Sequence, residues 1–321
     1  MMQLVIASAL YLLAVSRVPA MLRFGKDTVF FSGMLTGTAA LLTSPAVYIF
    51  VDQLVGGRNF AKLLLHTLLV FGLWQLRVGV LHAIATGSKR QRTKYRALPM
   101  YLTLVLQAVF FFAADVGPTT THFGDDYNVR PAGALFSATV LSYTGFVCAE
   151  LALVCRRFVP RMHGPFRVGF TMVGIGGAFG VLSAAFMTLD VLSNAMPAMA
   201  MWNFHSTPLY QVLQLIPIGL IGPGLSIPAW AGRAERKRTE RWEQETLARV
   251  QPLQERALRT AGLDRALETD TGAPAQDRLY RLIVEIWDAE LAMGGGASAL
   301  TPEERAYLLT VEHKLDLERT S

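Results

Sequence analysis

Long apolar segments, separated by short polar junctions, dominate the first 232 residues of this 321-residue chain. A helix needs about 20 mostly apolar residues to cross a hydrocarbon layer ~30 Å thick, because each residue rises only ~1.5 Å. Backbone amides in lipid must find hydrogen-bond partners within their own segment, so helices are the expected structure. The pattern therefore predicts an all-α fold with a seven-helix transmembrane bundle. The predicted spans are residues 2–22, 29–51, 60–85, 98–115, 134–155, 168–192 and 209–231.

Positive charge distinguishes the two sets of junctions between these segments. The junctions on one side contain only two basic residues, Arg58 and Arg130. The junctions on the other side contain fifteen, namely Arg23, Lys26, Lys89, Arg90, Arg92, Lys94, Arg96, Arg156, Arg157, Arg161, Arg167, Arg233, Arg236, Lys237 and Arg238. Because basic loops stay in the cytosol, this asymmetry predicts an amino terminus outside the cell, a cytosolic carboxyl terminus and a plasma-membrane location. The first segment lacks a basic start, which favours a retained helix over a cleavable signal peptide.

Composition changes abruptly after the last apolar segment, which predicts a transmembrane domain over residues 1–232 and a small helical cytosolic domain over residues 233–321. The first part contains 16 Lys or Arg against 7 Asp or Glu, whereas the second contains 14 against 17. The excess of basic residues therefore belongs to the membrane junctions, where anionic lipid headgroups are the expected partner. The second part carries no basic face for a nucleic acid. Its amphipathic helices are expected to bind a cytosolic protein or to self-associate.

The predicted cytosolic domain contains signals for three helices. The first follows Trp230 and is expected to break at Pro252. The second is predicted over residues 277–293, where apolar residues recur at helical spacing. The third should start with Thr301 as its N-cap, since Glu304 lies at the position that returns a hydrogen bond to the cap.

Two ionisable residues lie within predicted spans on the cytosolic half of the bundle. Arg77 is about eight residues from the inner end of the third span, and Glu150 is about five from that of the fifth. Their depths differ by about 5 Å, so the side chains are predicted to form a partly buried ion pair if their helices touch. Ionisable residues inside a membrane often mark functional sites. The alternative is that Arg77 extends to the inner headgroups while Glu150 binds an arginine of the adjacent loop.

A second group of polar residues lies toward the predicted outer ends of the helices. It consists of Lys62, His66, Asp115, Asp190 and His205. Together these side chains are predicted to rim an outward-facing binding pocket. The alternative is that helix ends close to water simply carry polar residues. No pair has the spacing of a metal-binding motif, so no metal is expected at this site.

The sequence lacks glycine loops of the phosphate-binding type and kinase-like motifs, so we expect neither enzymatic activity nor a cofactor. A seven-helix bundle joined directly to a cytosolic helical domain favours a sensing or interaction protein that transmits conformational change inward. A small-solute transporter is the alternative. Transporters usually place substrate sites at matched pairs of interrupted helices. Here only the seventh span is expected to be kinked or locally unwound, at Pro217, Pro223 and Pro228, which weakens this alternative.

Two segments carry a resemblance to a known family. They are DRLYRLIVEIWDAELAM at residues 277–293 and PRMHGPFRVGFTMVGIGGAFG at residues 160–180. They resemble segments of uncharacterised actinobacterial seven-span membrane proteins, usually described as candidate transporters, that end in a cytosolic domain of unknown function. The resemblance implies this layout over the whole chain and implies no particular substrate. Such proteins often carry an arginine at the position of Trp287. This chain lacks the positive charge of that arginine, so the resemblance implies no role for it here.

Overall fold

The computed structural model describes residues 2–84, 97–195, 208–263, 273–294 and 298–320. Within these ranges the chain forms helices and no strands, which confirms the all-α fold class. The helices are α1 (Met2–Phe24), α2 (Thr28–Leu41), α3 (Pro45–Leu54), α4 (Phe60–Ile84), α5 (Leu98–Ala113), α6 (Phe123–Tyr127), α7 (Pro131–Phe158), α8 (Gly164–Ala195), α9 (Pro208–Ala261), α10 (Ala275–Ala292) and α11 (Pro302–Thr320).

Five helical segments within the described ranges are long and apolar enough to cross a membrane. They are Gln3–Arg23, Phe60–Ala83, Pro131–Arg161, Gly164–Ala195 and Leu215–Ala261. The pair α2 and α3 is a sixth candidate if both helices belong to one broken span. These helices are compatible with a multi-pass membrane protein. The total of seven spans stays a prediction.

The second predicted span, residues 29–51, contains a sharp bend. The axes of α2 and α3 differ in direction by 95° across the short break between them. Pro45 occupies the first turn of α3, and the preceding Ser44 has an extended backbone with ψ near 127°. Proline disfavours helical backbone at the residue before it, so the helix cannot continue through this point. The Ser-Pro dipeptide is the local sequence signal for the break.

Two other predicted elements differ in length from their expectation. α5, which is the fourth predicted span, has 16 residues. Its length of about 24 Å is shorter than a typical hydrocarbon layer. α9 continues through Pro252 to Ala261, so the predicted break at Pro252 is wrong. The seventh span is also helical through Pro217, Pro223 and Pro228, so it is not locally unwound, and the alternative of a kink stays a prediction. Val250 and Leu253 are buried beside Pro252, and their packing offsets the backbone hydrogen bond that proline removes.

The last helix begins as the sequence predicts. The Thr301 N–H donates to Glu304 Oε2 at 2.9 Å, and the Glu304 N–H donates to the Thr301 hydroxyl oxygen at 3.2 Å. These reciprocal bonds satisfy two backbone amides at the start of α11, which confirms the predicted capping box. The preceding helix, α10, begins at Ala275, two residues before its predicted start.

The chain divides into two compact units, Met1–Ala229 and Trp230–Ser321. The division lies three residues from the boundary predicted between residues 1–232 and 233–321. α9 contributes residues to both units, since it begins at Pro208 and ends in the second unit. That the units are independent domains, and that the second lies in the cytosol, stay predictions.

Glycines bring helices of the first unit into close contact. A Cβ at Gly177 in α8 would lie 2.8 Å from the carbonyl oxygen of Cys148 in α7, and one at Gly180 would lie 2.5 Å from the Cys148 sulfur. α8 also approaches α9, where a Cβ at Gly169 would lie 2.5 Å from the carbonyl oxygen of Gly224. Such distances leave no room for a larger residue. Close packing through small residues is typical of helix pairs in membranes.

Two clusters of buried side chains form the core among α4, α5 and α7. The outer aromatic cluster consists of Phe111, Phe123, Tyr127 and Phe136 and lies toward the predicted outer ends of these helices. The central core lies deeper and also takes residues from α2, α8 and α9. Its members are Val29, Val70, Leu73, Leu76, Val80, Met100, Val140, Tyr143, Val147, Leu151, Cys155, Phe170, Val173 and Leu225.

A separate aliphatic core holds the second unit together. Its buried members are Leu247, Val250, Leu253, Ala257, Leu279, Leu282, Ile283, Ile286, Ala289, Leu300, Leu308, Val311 and Leu315. Ion pairs lie outside this core, with Arg256 Nη2 at 2.7 Å from Glu304 Oε1 and Arg305 Nη2 at 2.6 Å from Glu290 Oε2. The unit therefore has an apolar interior, with its ion pairs outside the aliphatic core.

Candidate functional site

One ion pair lies inside the first unit and joins α4 to α7. Arg77 Nη2 donates to Glu150 Oε1 at 3.2 Å, and Arg77 Nε donates to the other oxygen of the same carboxylate. The guanidinium also lies 5.4 Å from the centre of the Phe146 ring. The Arg77 side chain is 5% exposed and that of Glu150 is 25% exposed. The structure therefore brings together the two residues singled out on the predicted cytosolic half of the bundle.

The geometry of this pair constrains how α4 and α7 lie against each other. Two roughly parallel N–H···O bonds between a guanidinium and a carboxylate hold both groups in one orientation. Tyr143 lies two helical turns from Glu150 on α7, within electrostatic range of both charges. Its buried hydroxyl has no hydrogen-bond partner among the residues that the structure describes. The pair can therefore set the register of the two helices in an interior that offers few other polar contacts.

Lys62 and His66 lie one helical turn apart near the start of α4, and both contact aromatic rings. The His66 ring stacks on Phe136 with their centres 4.7 Å apart. The Lys62 ammonium lies 5.6 Å from the centre of the Phe123 ring, within the range of a cation–π interaction. Both rings belong to the outer aromatic cluster. His66 is therefore buried in the bundle interior and does not lie on an open rim.

The other three predicted rim residues do not join this pair. Asp115 is exposed just after α5, and Asp190 is buried in α8. Within the described ranges, neither carboxylate forms a hydrogen bond or an ion pair with Lys62 or His66. His205 lies outside the described residues. The structure thus brings together two of the five residues, and the outward-facing pocket stays a prediction.

A buried carboxylate that the sequence pattern did not indicate lies near the end of α3. Asp52 is fully buried and accepts three hydrogen bonds. The donors are the Asn59 N–H at 2.9 Å, the Ala61 N–H at 2.9 Å and the Thr119 hydroxyl at 2.6 Å. Two of these bonds satisfy amides at the start of α4, where a negative charge also interacts favourably with the helix dipole. Asp52 therefore holds α3, α4 and the segment before α6 together.

Asn59 extends the same network. Its Oδ1 accepts from the Tyr48 hydroxyl and from the Thr120 N–H, each at 2.9 Å, and its Nδ2 donates to the Pro118 carbonyl at 2.8 Å. Asn59 has a φ of 57°, a left-handed conformation that asparagine tolerates better than most residues. The run of Gly-Gly-Arg-Asn at residues 56–59 signals this turn. A satisfied polar network of this kind makes the predicted outer end of the bundle rigid.

Gln107 is another residue that was not among the sequence-predicted site residues. It is fully buried near the middle of α5, yet neither its amide oxygen nor its amide nitrogen has a hydrogen-bond partner among the described residues. The same holds for His66 Nδ1. Buried polar atoms nearly always find partners, so these three atoms mark an unusual layer of the bundle. The sequence signal is a lone amide in the apolar run LTLVLQAVFFF, residues 102–112.

Neither a metal-binding group nor a similar known protein identifies the function of these residues. In the part of the chain that the structure describes, no group of three or more His, Cys, Asp or Glu side chains is arranged to hold a metal ion. No protein-family model, curated protein or solved structure matches this chain. The resemblance to actinobacterial seven-span proteins therefore stays a prediction.

Proposed function

We propose that this chain is a multi-pass plasma-membrane protein that senses a ligand or a partner and transmits a conformational change to its C-terminal helical unit, without catalysing a reaction. The observation that carries the proposal is the partly buried ion pair of Arg77 and Glu150 between α4 and α7. In the proposed orientation the amino terminus is outside. The second unit lies in the cytosol, where it binds a protein partner or a second copy, and the basic junctions contact anionic headgroups.

The ion pair supports this proposal because it favours discrete arrangements of the two helices. Sliding or tilting α4 against α7 separates the charges. Leaving one buried charge uncompensated costs about 3–5 kcal/mol. Intermediate arrangements are therefore penalised, and two packed states separated by such a penalty are what a conformational switch requires. A signal is transmitted only if the ligand or partner binds one of these states better than the other.

A single helix provides a covalent route for the change. Ile221 and Leu225 of α9 pack in the central core of the first unit, whereas Leu247 and Val250 of the same helix pack in the core of the second. Arg17 Nη2 of α1 also donates to the Leu225 carbonyl at 2.9 Å, which ties the first helix to α9. The two cores are therefore joined by one continuous helix, which is the proposed route of the change.

Hydrogen–deuterium exchange of the full chain in lipid nanodiscs tests the coupling. Glu150→Gln preserves the size of the side chain and removes its charge. We expect faster exchange in α4 and α7, and also altered exchange in peptides that cover residues 279–289 of the second core. A change confined to the first unit would contradict the proposed coupling.

Two further variants separate coupling from general loss of stability. Arg77→Met combined with Glu150→Leu replaces the pair with apolar side chains of similar size, which is often neutral or stabilising. This double variant should fold well and still alter exchange in the second unit. Gly180→Ala disturbs the contact between α7 and α8 without touching the pair, and it should alter exchange in the first unit alone. Equal responses of the second unit to Gly180→Ala and Glu150→Gln would remove any special role for the pair.

The orientation has its own test. A reporter enzyme that is active only in the cytosol, fused after Ser321, should be active in cells. The same reporter fused before Met1 should be inactive. Activity of the amino-terminal fusion together with silence of the carboxyl-terminal fusion would invert the proposed topology.

A small-solute carrier is the second candidate, and the buried polar layer of His66 and Gln107 favours it. Polar side chains inside a bundle often line a solute or ion pathway. A carrier would move a radiolabelled solute into proteoliposomes faster than protein-free vesicles do, and Gln107→Leu would slow that uptake. A sensing protein would show no flux in either form.

A further inference from the structure

The strongest unexplained feature of the bundle is a layer of buried polar atoms on two neighbouring helices. Gln107 is 0% exposed and His66 is 6% exposed. Among the described residues, neither amide atom of Gln107 nor the Nδ1 atom of His66 has a hydrogen-bond partner. A buried amide without partners is strongly unfavourable, and an unpaired imidazole nitrogen adds to the cost. A single unpartnered group is uncommon, and two on adjacent helices call for a shared explanation.

Both residues lie at the same depth. His66 is six residues from Phe60 at the start of α4, and Gln107 is six residues from Ala113 at the end of α5. Six residues correspond to about 9 Å along a helix. The two helix ends are themselves adjacent, because the Phe60 ring lies 5.6 Å from the Phe111 ring. Gln107 and His66 therefore occupy one layer of the bundle.

Both side chains also face the same interior. His66 stacks on Phe136 of α7, and the Phe136 ring lies 5.5 Å from the Phe111 ring of α5. Gln107 lies one helical turn inward from Phe111 on the same buried face of α5, a face that continues to Met100 in the central core. The two polar groups thus lie between the outer aromatic cluster and the central core, with no hydrogen bond between them.

We infer that Gln107 and His66 flank a buried binding site for one neutral hydrogen-bonding molecule, either water or a small neutral solute. A molecule held in such a site needs two to four polar partners, and three unpaired polar atoms meet that requirement. The Gln107 amide offers both a donor and an acceptor, which suits a group that does both. Lys62, one helical turn from His66 on α4, lies over the Phe123 ring. This site goes beyond the coupling proposed for Arg77 and Glu150 and does not depend on it.

A double-mutant cycle in lipid nanodiscs tests this inference through the thermal unfolding midpoint. Gln107→Leu keeps the volume of the side chain, and His66→Phe keeps a ring that stacks on Phe136. If a molecule bridges the two residues, each substitution should lower the midpoint by about 3–6 °C, because the other residue loses its partner. The double variant should lose less than the two single losses together.

A matched control lies on the same buried face of α5. Thr103 is buried, but its hydroxyl donates to the Pro99 carbonyl within its own helix at 2.7 Å. Thr103→Val should therefore show no coupling with His66→Phe. If the site holds nothing, Gln107→Leu removes a desolvated amide and should raise the midpoint, and its effect should add to that of His66→Phe. That result would overturn the inference.

Two measurements on the unsubstituted protein do not depend on how the variants fold, and they distinguish the two sources of the molecule. A bound water should give magnetisation transfer from water to the Gln107 side-chain amide in solid-state NMR spectra. A bound solute should be released on denaturation in equal molar amount to the protein and be identified by mass spectrometry. Release of a stoichiometric anion would overturn the assignment to a neutral molecule. Absence of both the water signal and any released molecule would overturn the site itself.

Discussion

The helices of the two units pack against one another through different kinds of residues. In the first, glycines of α8 lie against the backbones of α7 and α9, and polar groups such as Arg77 and Asp52 are buried while large apolar residues face outward. In the second, large aliphatic residues fill the interior and ion pairs lie outside. The glycines described there, such as Gly262 and Gly294, would meet nothing within 4 Å if they carried a Cβ.

The contrast matches the kinds of packing that lipid and water each favour. Lipid offers little gain for burying a leucine, so helices associate through close packing and polar contacts. Water makes burial of a large apolar side chain favourable, so the second unit relies on side-chain volume. The two units should therefore respond differently to the same kinds of substitution.

The largest effect is expected at the ion pair of the first unit. Arg77→Met should lower the stability of the bundle by about 3–5 kcal/mol, because it leaves the Glu150 carboxylate uncompensated inside the protein. The thermal unfolding midpoint in nanodiscs would measure this loss. Recovery of most of the midpoint in the Arg77→Met, Glu150→Leu double variant would complete the comparison. A single variant as stable as the unsubstituted protein would mean that Glu150 finds another partner.

A slightly smaller effect is expected in the aliphatic core of the second unit. Ile286 is 0% exposed, and Ile286→Ala should cost about 2–5 kcal/mol through lost burial and a cavity. The urea midpoint at which protease begins to cut residues 233–321 would report it. Leu291, which is 83% exposed on the same helix, is the matched control, and Leu291→Ala should leave the midpoint within error. Similar losses at both positions would argue against the core described for this unit.

Glycine substitutions should give the next effect, and only in the first unit. Gly180→Ala places a methyl group 2.5 Å from the Cys148 sulfur, so α7 and α8 must separate at a cost of about 1–3 kcal/mol. Gly222→Ala, on α9, meets nothing within 4 Å and should be neutral or stabilising, since alanine favours helix. Thermal midpoints in nanodiscs distinguish the two. A loss in Gly222→Ala equal to that in Gly180→Ala would mean that space at the interface is not the cause.

The smallest effect is the acid sensitivity of the second unit. Burial alone would raise the pKa of Glu290, but hydrogen bonds from Ser298 and Arg305 outweigh it and lower that pKa below its ordinary value of 4.5. The Thr301 N–H likewise lowers the pKa of Glu304. Each carboxylate therefore adds stability above its ordinary pKa and loses that contribution as the pH falls through the lowered value. The urea midpoint of the second unit should fall modestly below pH 4.5.

The control for acid sensitivity is Glu304→Gln. An amide oxygen can still accept the Thr301 hydrogen bond but does not titrate in this range. The variant should have a slightly lower midpoint at neutral pH and a weaker dependence on acid. An unchanged acid dependence would assign the effect to other carboxylates.

Local features of this chain follow from short stretches of its sequence. The apolar runs that form α1, α4, α7 and α8 are recognisable because the cost of placing a polar residue in lipid depends on the residue and its own segment. The capping box of Thr301 and Glu304 is equally local, since its partners are three residues apart. The bend before Pro45 also has a local signal, a Ser-Pro dipeptide within an otherwise continuous apolar run.

The contacts between helices could not be predicted from the sequence, because the sequence pattern does not show how each helix is rotated about its own axis. Spacing along the chain placed Arg77 and Glu150 at similar depths, but only packing shows that their faces meet. Asp52 takes one donor from Thr119, 67 residues away, and nothing in either segment indicates that pairing. Gln107 could be recognised as a polar residue in an apolar helix, whereas its place in the same layer as His66 depends on how α4 and α5 turn toward each other. The hydrophobic pattern of the sequence determines which segments become helices. Which face of each helix meets its neighbour is decided by the free energy of tertiary contacts, and these contacts exist only once the helices have packed.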